Sequence, residues 1–219
     1  MSTSRSAKET LAHYIDAMGQ ELGQVFHATS NELTWIHWRW SQFCTLFGQD
    51  ESLMHVLNEA APFFFRIIHD VLFEDTMLAI ARITGPPATF SKANLAITKF
   101  PELIVRSDLK ARISELVIAA QGSATFARDW RNRHLAHRDL DLAVLNPKVQ
   151  PLATVTRNHV DNALSALRDV LNFVEESYCK EHTAYSHCSV PGDARELLYI
   201  INSGLSHERD RRARWREKS

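Results

Sequence analysis

Apolar residues recur every three or four positions along much of this chain, and this spacing constrains the fold more than any other feature. The N-terminal region shows it most clearly, at Leu11, Ile15, Met18, Leu22, Val25, Leu33, Ile36, Trp40, Phe43 and Phe47. Such spacing places the apolar side chains on one face of an α-helix. The one gap falls around Thr29, where Thr29-Ser30-Asn31-Glu32 has the form of a capping box. The sequence therefore predicts either two helices or one long kinked helix.

Further helical regions follow the first. A second region is predicted from Glu51 to about Ile83, with a bend or restart at Pro62, because a proline inside a helix removes a backbone donor and clashes with the preceding turn. Ser107 is a favourable cap for a third helix, and Thr156 is a favourable cap for a fourth. A short last helix is predicted near 194–205, followed by a charged tail.

The segments between these helices give no convincing strand pattern. Residues 88–106 are predicted to form a loop with room for one short helix, because Pro101 and a weak apolar period prevent anything longer. There is no internal repeat and no low-complexity tract. We therefore expect an all-α protein, an antiparallel helical bundle, in which residues 1–181 form one domain and residues 182–219 add a short C-terminal helix and a basic tail.

Composition excludes several classes of protein. Of the 219 residues, 45% are hydrophobic, which is enough for a substantial core. The formal net charge of -1 means that any nucleic-acid-binding surface must be local. No apolar run approaches the roughly 20 residues of a membrane-spanning helix. The N-terminal residues lack the apolar core of a signal peptide, and three cysteines form no disulfide framework, so we expect a cytoplasmic protein that does not bind membranes.

Residues 128–139 concentrate the chemically versatile side chains. This short segment contains four arginines, two histidines, an asparagine and two aspartates. A histidine exchanges protons near neutral pH, and a guanidinium group binds phosphate through a rigid fork of donors. The combination favours chemistry on a phosphodiester.

The same segment resembles the signature of the HEPN superfamily (higher eukaryotes and prokaryotes nucleotide-binding domain). In that signature an arginine, usually followed by a polar residue, precedes a histidine by four to six intervening positions. Arg131, Asn132 and His137 match it, and Arg128 and His134 have the same spacing. The resemblance covers about residues 10–180 and looks like the abortive-infection branch. Two further features carry it, the helix ending at residues 79–84 and aromatic residues in the N-terminal helix, namely Trp35, Trp38, Phe43 and Phe47.

The resemblance implies a metal-independent ribonuclease of toxin or phage-defence type that acts as a homodimer, with the two motifs facing one another. His137 would act as general base on a ribose 2′-hydroxyl or as acid toward the leaving oxygen. Arg131 would stabilise charge on the phosphorus, and Asn132 would orient the phosphate or His137. RNA is the expected substrate, an antitoxin is a candidate partner, and no metal or cofactor is expected. The remaining candidates for substrate binding are Arg128, Arg133, His134 and Arg138.

Helix geometry limits how Arg131 and His137 can cooperate. In a continuous α-helix a six-residue separation leaves the two side chains roughly 120° apart around the axis. They would then not easily share one phosphate. Either the helix ends near Ala136, so that His137 turns back, or a second protomer supplies the complementary residues.

Two other interpretations of the segment remain open. In the first, Arg128, Arg131 and Arg138 pair with Asp129, Asp139 and Asp141 on a polar helix end, where such pairs contribute little. In the second, the protein is a catalytically inactive HEPN-like dimer that binds a nucleotide, RNA or protein. Metal-dependent hydrolysis is disfavoured, because the segment lacks convergent carboxylates at ligand spacing.

The C-terminal region offers two weaker signals. Five arginines surround Trp215 within residues 209–219, a mixture that could gather RNA, although a solvated, frayed tail is the simpler expectation for a chain terminus. The second signal is a set of four zinc-ligand side chains without a paired Cys-x-x-Cys, which argues against a closed tetrahedral site. These residues are Cys179, His182, His187 and Cys188.

Overall fold

The computed structural model describes residues 5–48, 51–136, 139–144, 146, 148–186 and 191–216. Within these ranges the chain is predominantly helical, so the predicted all-α class is confirmed. The helices are α1 (Ala7–Met18), α2 (Gln20–Phe47), α3 (Glu51–Ala60), α4 (Pro62–Ile83), α5 (Phe100–Leu103), α6 (Ser107–Ser123), α7 (Thr125–Trp130), α8 (Leu140–Ala143), α9 (Arg157–Cys179) and α10 (Ala194–Arg216). A small hairpin pairs the antiparallel strands β1 (Ala88–Thr89) and β2 (Lys92–Ala93).

The chain divides into two compact units. The first comprises Met1–Ile36 and Met77–Tyr185, and the second comprises His37–Thr76 and Ser186–Ser219. In the first unit α9 packs against α6 and α1, and its buried apolar side chains form much of the core. In the second unit α3 packs against α10. The core of the second unit is built from Leu46, Leu57, Phe65, Ala194 and Leu198.

The N-terminal helical region forms two helices, one of the two predicted alternatives, but the break lies at Gly19 and its predicted position around Thr29 was wrong. Gly19 has a φ of 86°, which favours glycine, and its N–H closes α1 by donating to the Ile15 carbonyl at 2.8 Å. Thr29 lies buried within α2, where its hydroxyl donates to the Val25 carbonyl at 2.7 Å. Because the helix itself satisfies this hydroxyl, the residue does not cap a new helix.

Two predicted helix boundaries are confirmed. The second helical region restarts at Pro62, which is the first residue of α4 and therefore loses no helical hydrogen bond. Thr156 caps α9, and its hydroxyl accepts from the His159 backbone at 3.3 Å while the Thr156 backbone donates to His159 Nδ1 at 3.2 Å. The third helix differs slightly, since Ser107 is its first helical residue and Arg106 is the cap.

Residues 88–106 contain more regular structure than the predicted loop. The hairpin β1–β2 is followed by a 3-10 turn at Ile97–Lys99 and by α5. The Asn94 amide nitrogen ties the hairpin together by donating to Pro86 O at 3.1 Å and to Thr89 Oγ1 at 2.7 Å. The expectation of no strand was wrong here, because two-residue strands are too short to show an alternating pattern.

Helix α10 extends to Arg216, so the prediction that the last helix ends near residue 205 was wrong. Glu208 accepts hydrogen bonds from Arg211 at 2.8 Å and from Arg212 at 3.1 Å, one turn further along the helix. Pairs at these spacings stabilise a helix by a few tenths of a kcal/mol each, roughly 0.2–0.5. Arg209 forms a bidentate salt bridge with Glu59 on α3. These contacts explain why the basic segment is helical.

Candidate phosphate-binding site

The arginine- and histidine-rich segment begins in α7 and continues as a π-helical turn at Arg131–Leu135. The Ala136 N–H donates to the Arg131 carbonyl at 2.8 Å, five residues back instead of four. Such turns are rare and frequently lie at functional sites. The regular α-helical ladder is therefore interrupted within residues 131–136, so the continuous α-helix from which the angle of roughly 120° was calculated is not present. His137 and Arg138 lie outside the described residues.

One side of the segment is anchored to the chain that precedes α9. The Asp129 carboxylate accepts from Arg133 Nη1 at 3.3 Å and from the Ala153 N–H at 3.1 Å. Arg133 also donates to the Gln150 carbonyl, and Trp130 Nε1 donates to the Ala153 carbonyl at 2.9 Å. The guanidinium of Arg133, a predicted substrate-binding group, is thus engaged within the protein.

His134, another predicted substrate-binding residue, packs against the indole of Trp130. The two rings meet edge to face, with their centroids 5.5 Å apart and an interplanar angle of 83°. The imidazole is half-buried. This contact orients the ring and helps to hold the π-helical turn on α7.

Arg128 and Arg131 have different surroundings from Arg133. Arg131 is exposed, and its Nη1 donates to the amide oxygen of its neighbour Asn132 at 3.0 Å. Arg128 Nη1 donates to the Gln121 carbonyl at 2.8 Å. In the described part of the chain, neither Arg128 nor Arg131 forms a salt bridge.

The carboxylates that were the alternative partners of these arginines have other roles. Asp129 binds Arg133, as described above. Asp139 caps α8 and accepts from the Asp141 backbone at 3.0 Å, while Asp141 Oδ1 accepts from the Asn146 amide at 3.0 Å. The interpretation as a cluster of paired surface charges is therefore not observed for Arg128 and Arg131.

Arg128 and Arg131 line a common cavity of about 680 Å³ within the first unit. The other walls come from the C-terminal end of α4, from the hairpin and from the residues that follow it. Arg82 and Glu32 also line the cavity, and Arg82 Nη2 lies 3.5 Å from Glu32 Oε1. The lining contains three guanidinium groups and one carboxylate, so the cavity favours an anionic ligand.

Sequence reasoning missed Arg82 and Glu32 as site residues. Arg82 stands alone among apolar residues at the end of α4, in the run Ala79-Ile80-Ala81-Arg82-Ile83. A single exposed charge in an otherwise apolar helix end was the available signal. Its position in the same cavity as Arg128 depends on the tertiary fold and could not be read from spacing.

A metal centre finds no support in the described residues, among which no group of three His, Cys, Asp or Glu side chains is placed to hold an ion. Burial raises the pKa of the Cys179 thiol to about 11, which disfavours the thiolate form that zinc binds. His187 and Cys188, two of the four weak zinc candidates, lie outside the described residues. No helix in the described ranges is both long enough and apolar enough to cross a bilayer.

An all-α chain with arginines of an Arg/His motif at a cavity next to a π-helical turn fits the HEPN class. The family model of AbiU2, a HEPN family, matches residues 19–197, and the chain therefore belongs to this family within the abortive-infection branch. Searches of curated proteins and of solved structures gave no match.

Proposed function

We propose that this protein is a metal-independent endoribonuclease of toxin or phage-defence type that acts in the cytoplasm. One observation carries the proposal: Arg128 and Arg131, both from the motif segment, line one cavity and form no salt bridge among the described residues. Arginines without carboxylate partners are available to bind phosphate through charge-assisted hydrogen bonds.

In the proposed reaction His137 removes the proton from a ribose 2′-hydroxyl. The 2′-oxygen then attacks the neighbouring phosphorus, the bond to the 5′-oxygen breaks, and that oxygen takes up a proton. Arg131 stabilises the charge that develops on the phosphate oxygens, and Asn132 orients the phosphate or the imidazole. The products carry a 2′,3′-cyclic phosphate and a 5′-hydroxyl.

The reaction needs a second proton-transfer group for the leaving oxygen, and we propose that a twofold homodimer supplies it from the facing motif of the other protomer. The interface would include the 128–139 segments and bury on the order of 1,200 Å² or more. Light scattering should give a mass twice the 25.0 kDa of one chain at micromolar concentration. A monomer under these conditions would contradict the dimeric site.

Incubation of the purified protein with total RNA in EDTA tests the reaction directly. We expect cleavage that leaves cyclic-phosphate ends, and we expect His137→Ala to lower the rate by ~10² or more, as for loss of a general acid or base. His55→Ala is a matched control, because this side chain is 74% exposed on α3, in the other unit. Strict dependence on metal, or full activity of His137→Ala, would contradict the proposal. RNA binding without cleavage would instead indicate an inactive HEPN-like binding module.

A further inference from the structure

The cavity beside Arg131 is much larger than a single phosphate needs. Its volume of about 680 Å³ lies within the range of pockets that hold small molecules and cofactors, roughly 300–1,000 Å³. The walls belong to four separate stretches of the first unit: Glu32 of α2, the end of α4, the hairpin with the residues after it, and α7 with its π-helical turn. Such a volume accommodates a nucleotide, with its base and sugar as well as its phosphate.

The charges in the cavity are arranged unequally. Glu32 lies within salt-bridge distance of Arg82, at 3.5 Å, which balances one positive charge of the lining. Arg128 and Arg131 keep their charges unbalanced by any described carboxylate, and both are on the α7 side. Each guanidinium has one hydrogen bond within the described chain, and an arginine has five donors, so both retain donors for a phosphate. The anionic part of a ligand therefore belongs at this side.

The walls from the end of α4 and the hairpin region suit a planar, weakly polar group. Pro86 and Leu95 supply apolar surface. Asn94 adds a fixed polar group, because its amide nitrogen is held by Pro86 O at 3.1 Å and by Thr89 Oγ1 at 2.7 Å. The amide oxygen of Asn94 is then a positioned acceptor for an N–H of a base. Apolar walls with a few fixed polar groups are typical of a pocket that orients its ligand.

The hairpin tip adds a stacking surface next to this cavity. Phe90 directly follows the lining residue Thr89 and is fully exposed, with a relative exposure of 103%. Its φ of 53° is a left-handed conformation that a bulky residue rarely adopts. An exposed aromatic ring in such a conformation has no role in the core, and aromatic rings at RNA-binding surfaces stack on unpaired bases. Lys92, on the other side of the turn, adds a positive charge.

We propose that this cavity binds one unpaired nucleotide of the RNA substrate, next to the bond that is cleaved. Arg131 holds the scissile phosphate and Arg128 the flanking phosphate, while the base lies against Leu95 and Pro86 and the next base stacks on Phe90. The base must be unpaired, because its N–H groups are then available to the Asn94 amide oxygen, and unpaired bases are the usual targets of specific RNA recognition. The substrate class is therefore single-stranded RNA. The inference rests on the proposed function in taking RNA as the ligand.

Filling the cavity tests this assignment. Leu95 is 40% exposed, so Leu95→Trp can occupy the cavity without disturbing the core. Binding of a fluorescently labelled single-stranded RNA octamer is measured by anisotropy with His137→Ala protein, which removes cleavage from the measurement. We expect Leu95→Trp to raise Kd about tenfold or more, the size of losing the contacts of one base. The control is Ile118→Trp, since Ile118 is 68% exposed on α6 and does not line the cavity.

A second variant and a second RNA make the test independent of one substitution. Arg128→Gln should lower the slope of log Kd against log salt by about 0.7, the value of one phosphate contact with a single strand. Duplex RNA of the same sequence should bind equally to the His137→Ala protein with and without Leu95→Trp. The inference would be overturned if Leu95→Trp left octamer binding unchanged, or if the His137→Ala protein without Leu95→Trp did not bind the octamer.

The outcomes also separate this inference from the proposed function. If wild-type protein leaves RNA intact while Leu95→Trp weakens octamer binding, the nucleotide site stands and the catalytic proposal fails. If wild-type protein cleaves RNA and Leu95→Trp cleaves it with an unchanged KM, the catalytic proposal stands and the nucleotide site fails.

Discussion

Arginine-rich segments occur twice in this chain, at residues 128–133 and 209–216, and the structure gives their guanidinium groups different surroundings. In the C-terminal helix, Arg209 pairs with Glu59, and Arg211 and Arg212 share Glu208. In the motif segment, Arg128 and Arg131 line a cavity and pair with none of the described carboxylates. The comparison indicates that an arginine is available to phosphate when no carboxylate of the chain pairs with it. The number of arginines in a segment does not decide this.

The motif segment itself contains both kinds of arginine. The Arg133 guanidinium is held by Asp129 and by the Gln150 carbonyl, whereas the Arg131 guanidinium, two residues earlier, hydrogen-bonds only to Asn132 among the described residues. One turn of helix thus combines a structural arginine with one that is available to a ligand. We expect substitutions of the two types to affect different properties.

The largest effect on stability is expected for Asp129→Ala. This change removes the acceptor of Arg133 and of the Ala153 N–H, and the free energy of unfolding should fall by about 1–2 kcal/mol, as expected when partly buried polar groups lose their partners. Urea unfolding followed by tryptophan fluorescence measures it. Glu115→Ala is the control, because its pair with Arg112 on α6 is mostly exposed and should change stability by less than about 0.5 kcal/mol. Equal losses of unfolding free energy in Asp129→Ala and Glu115→Ala would contradict a special structural role for the Asp129–Arg133 pair.

A smaller effect is expected when the salt bridge between Arg209 and Glu59 is removed, and it is measured as a change in the pKa of Glu59. The hydrogen bond from Arg209 holds the pKa of the Glu59 carboxyl below its ordinary value of 4.5, so Arg209→Ala should raise this pKa toward 4.5. Because the folded pKa is the lower one, the stabilising contribution of this pair is present above pH 4.5 and is lost as the pH falls through the folded pKa. An NMR titration of the Glu59 side chain measures the change. Arg214→Ala should leave it unaltered, and an unaltered pKa in Arg209→Ala would show that the pair is not formed.

The smallest effect is expected from deleting residues 209–219. Arg209, Arg211 and Arg212 already have carboxylate partners, which leaves Arg214 and Arg216 without one among the described residues. The deletion should therefore change the salt dependence of RNA binding by no more than about two phosphate contacts, about 1.4 in the log-log slope. Filter binding at several salt concentrations gives this slope. A decrease equivalent to three or more contacts would show that the C-terminal helix binds RNA through arginines that are paired with carboxylates.

Local signals in the sequence predicted much of the fold. Pro62 and Thr156 mark helix starts because each acts through its immediate neighbours. The local signal at Thr29 gave a wrong prediction. A threonine hydroxyl can either cap a helix or donate to the carbonyl four residues back, and the sequence does not distinguish the two. Gly19, which does break the helix, carries no equally specific pattern.

The candidate site was predictable only in part. The motif identified Arg128 and Arg131, but the cavity that they line also needs Arg82 and Leu95, which are more than thirty positions away. Such a juxtaposition depends on tertiary packing. The π-helical turn at Arg131–Leu135 likewise has no signature in the sequence, and it changes the geometry that a regular helix would impose.

The central claim is that Arg131 acts on RNA and that the carboxylate-paired arginines of the C-terminal helix do not. Single-turnover cleavage of one labelled single-stranded RNA in EDTA, by wild-type protein, Arg131→Ala and Arg211→Ala, tests it most directly. We predict that Arg131→Ala lowers the rate by about 10²-fold or more, as for loss of a group that stabilises transition-state charge, and that Arg211→Ala retains the wild-type rate. Full activity of Arg131→Ala, or an equal loss in both variants, would contradict the account.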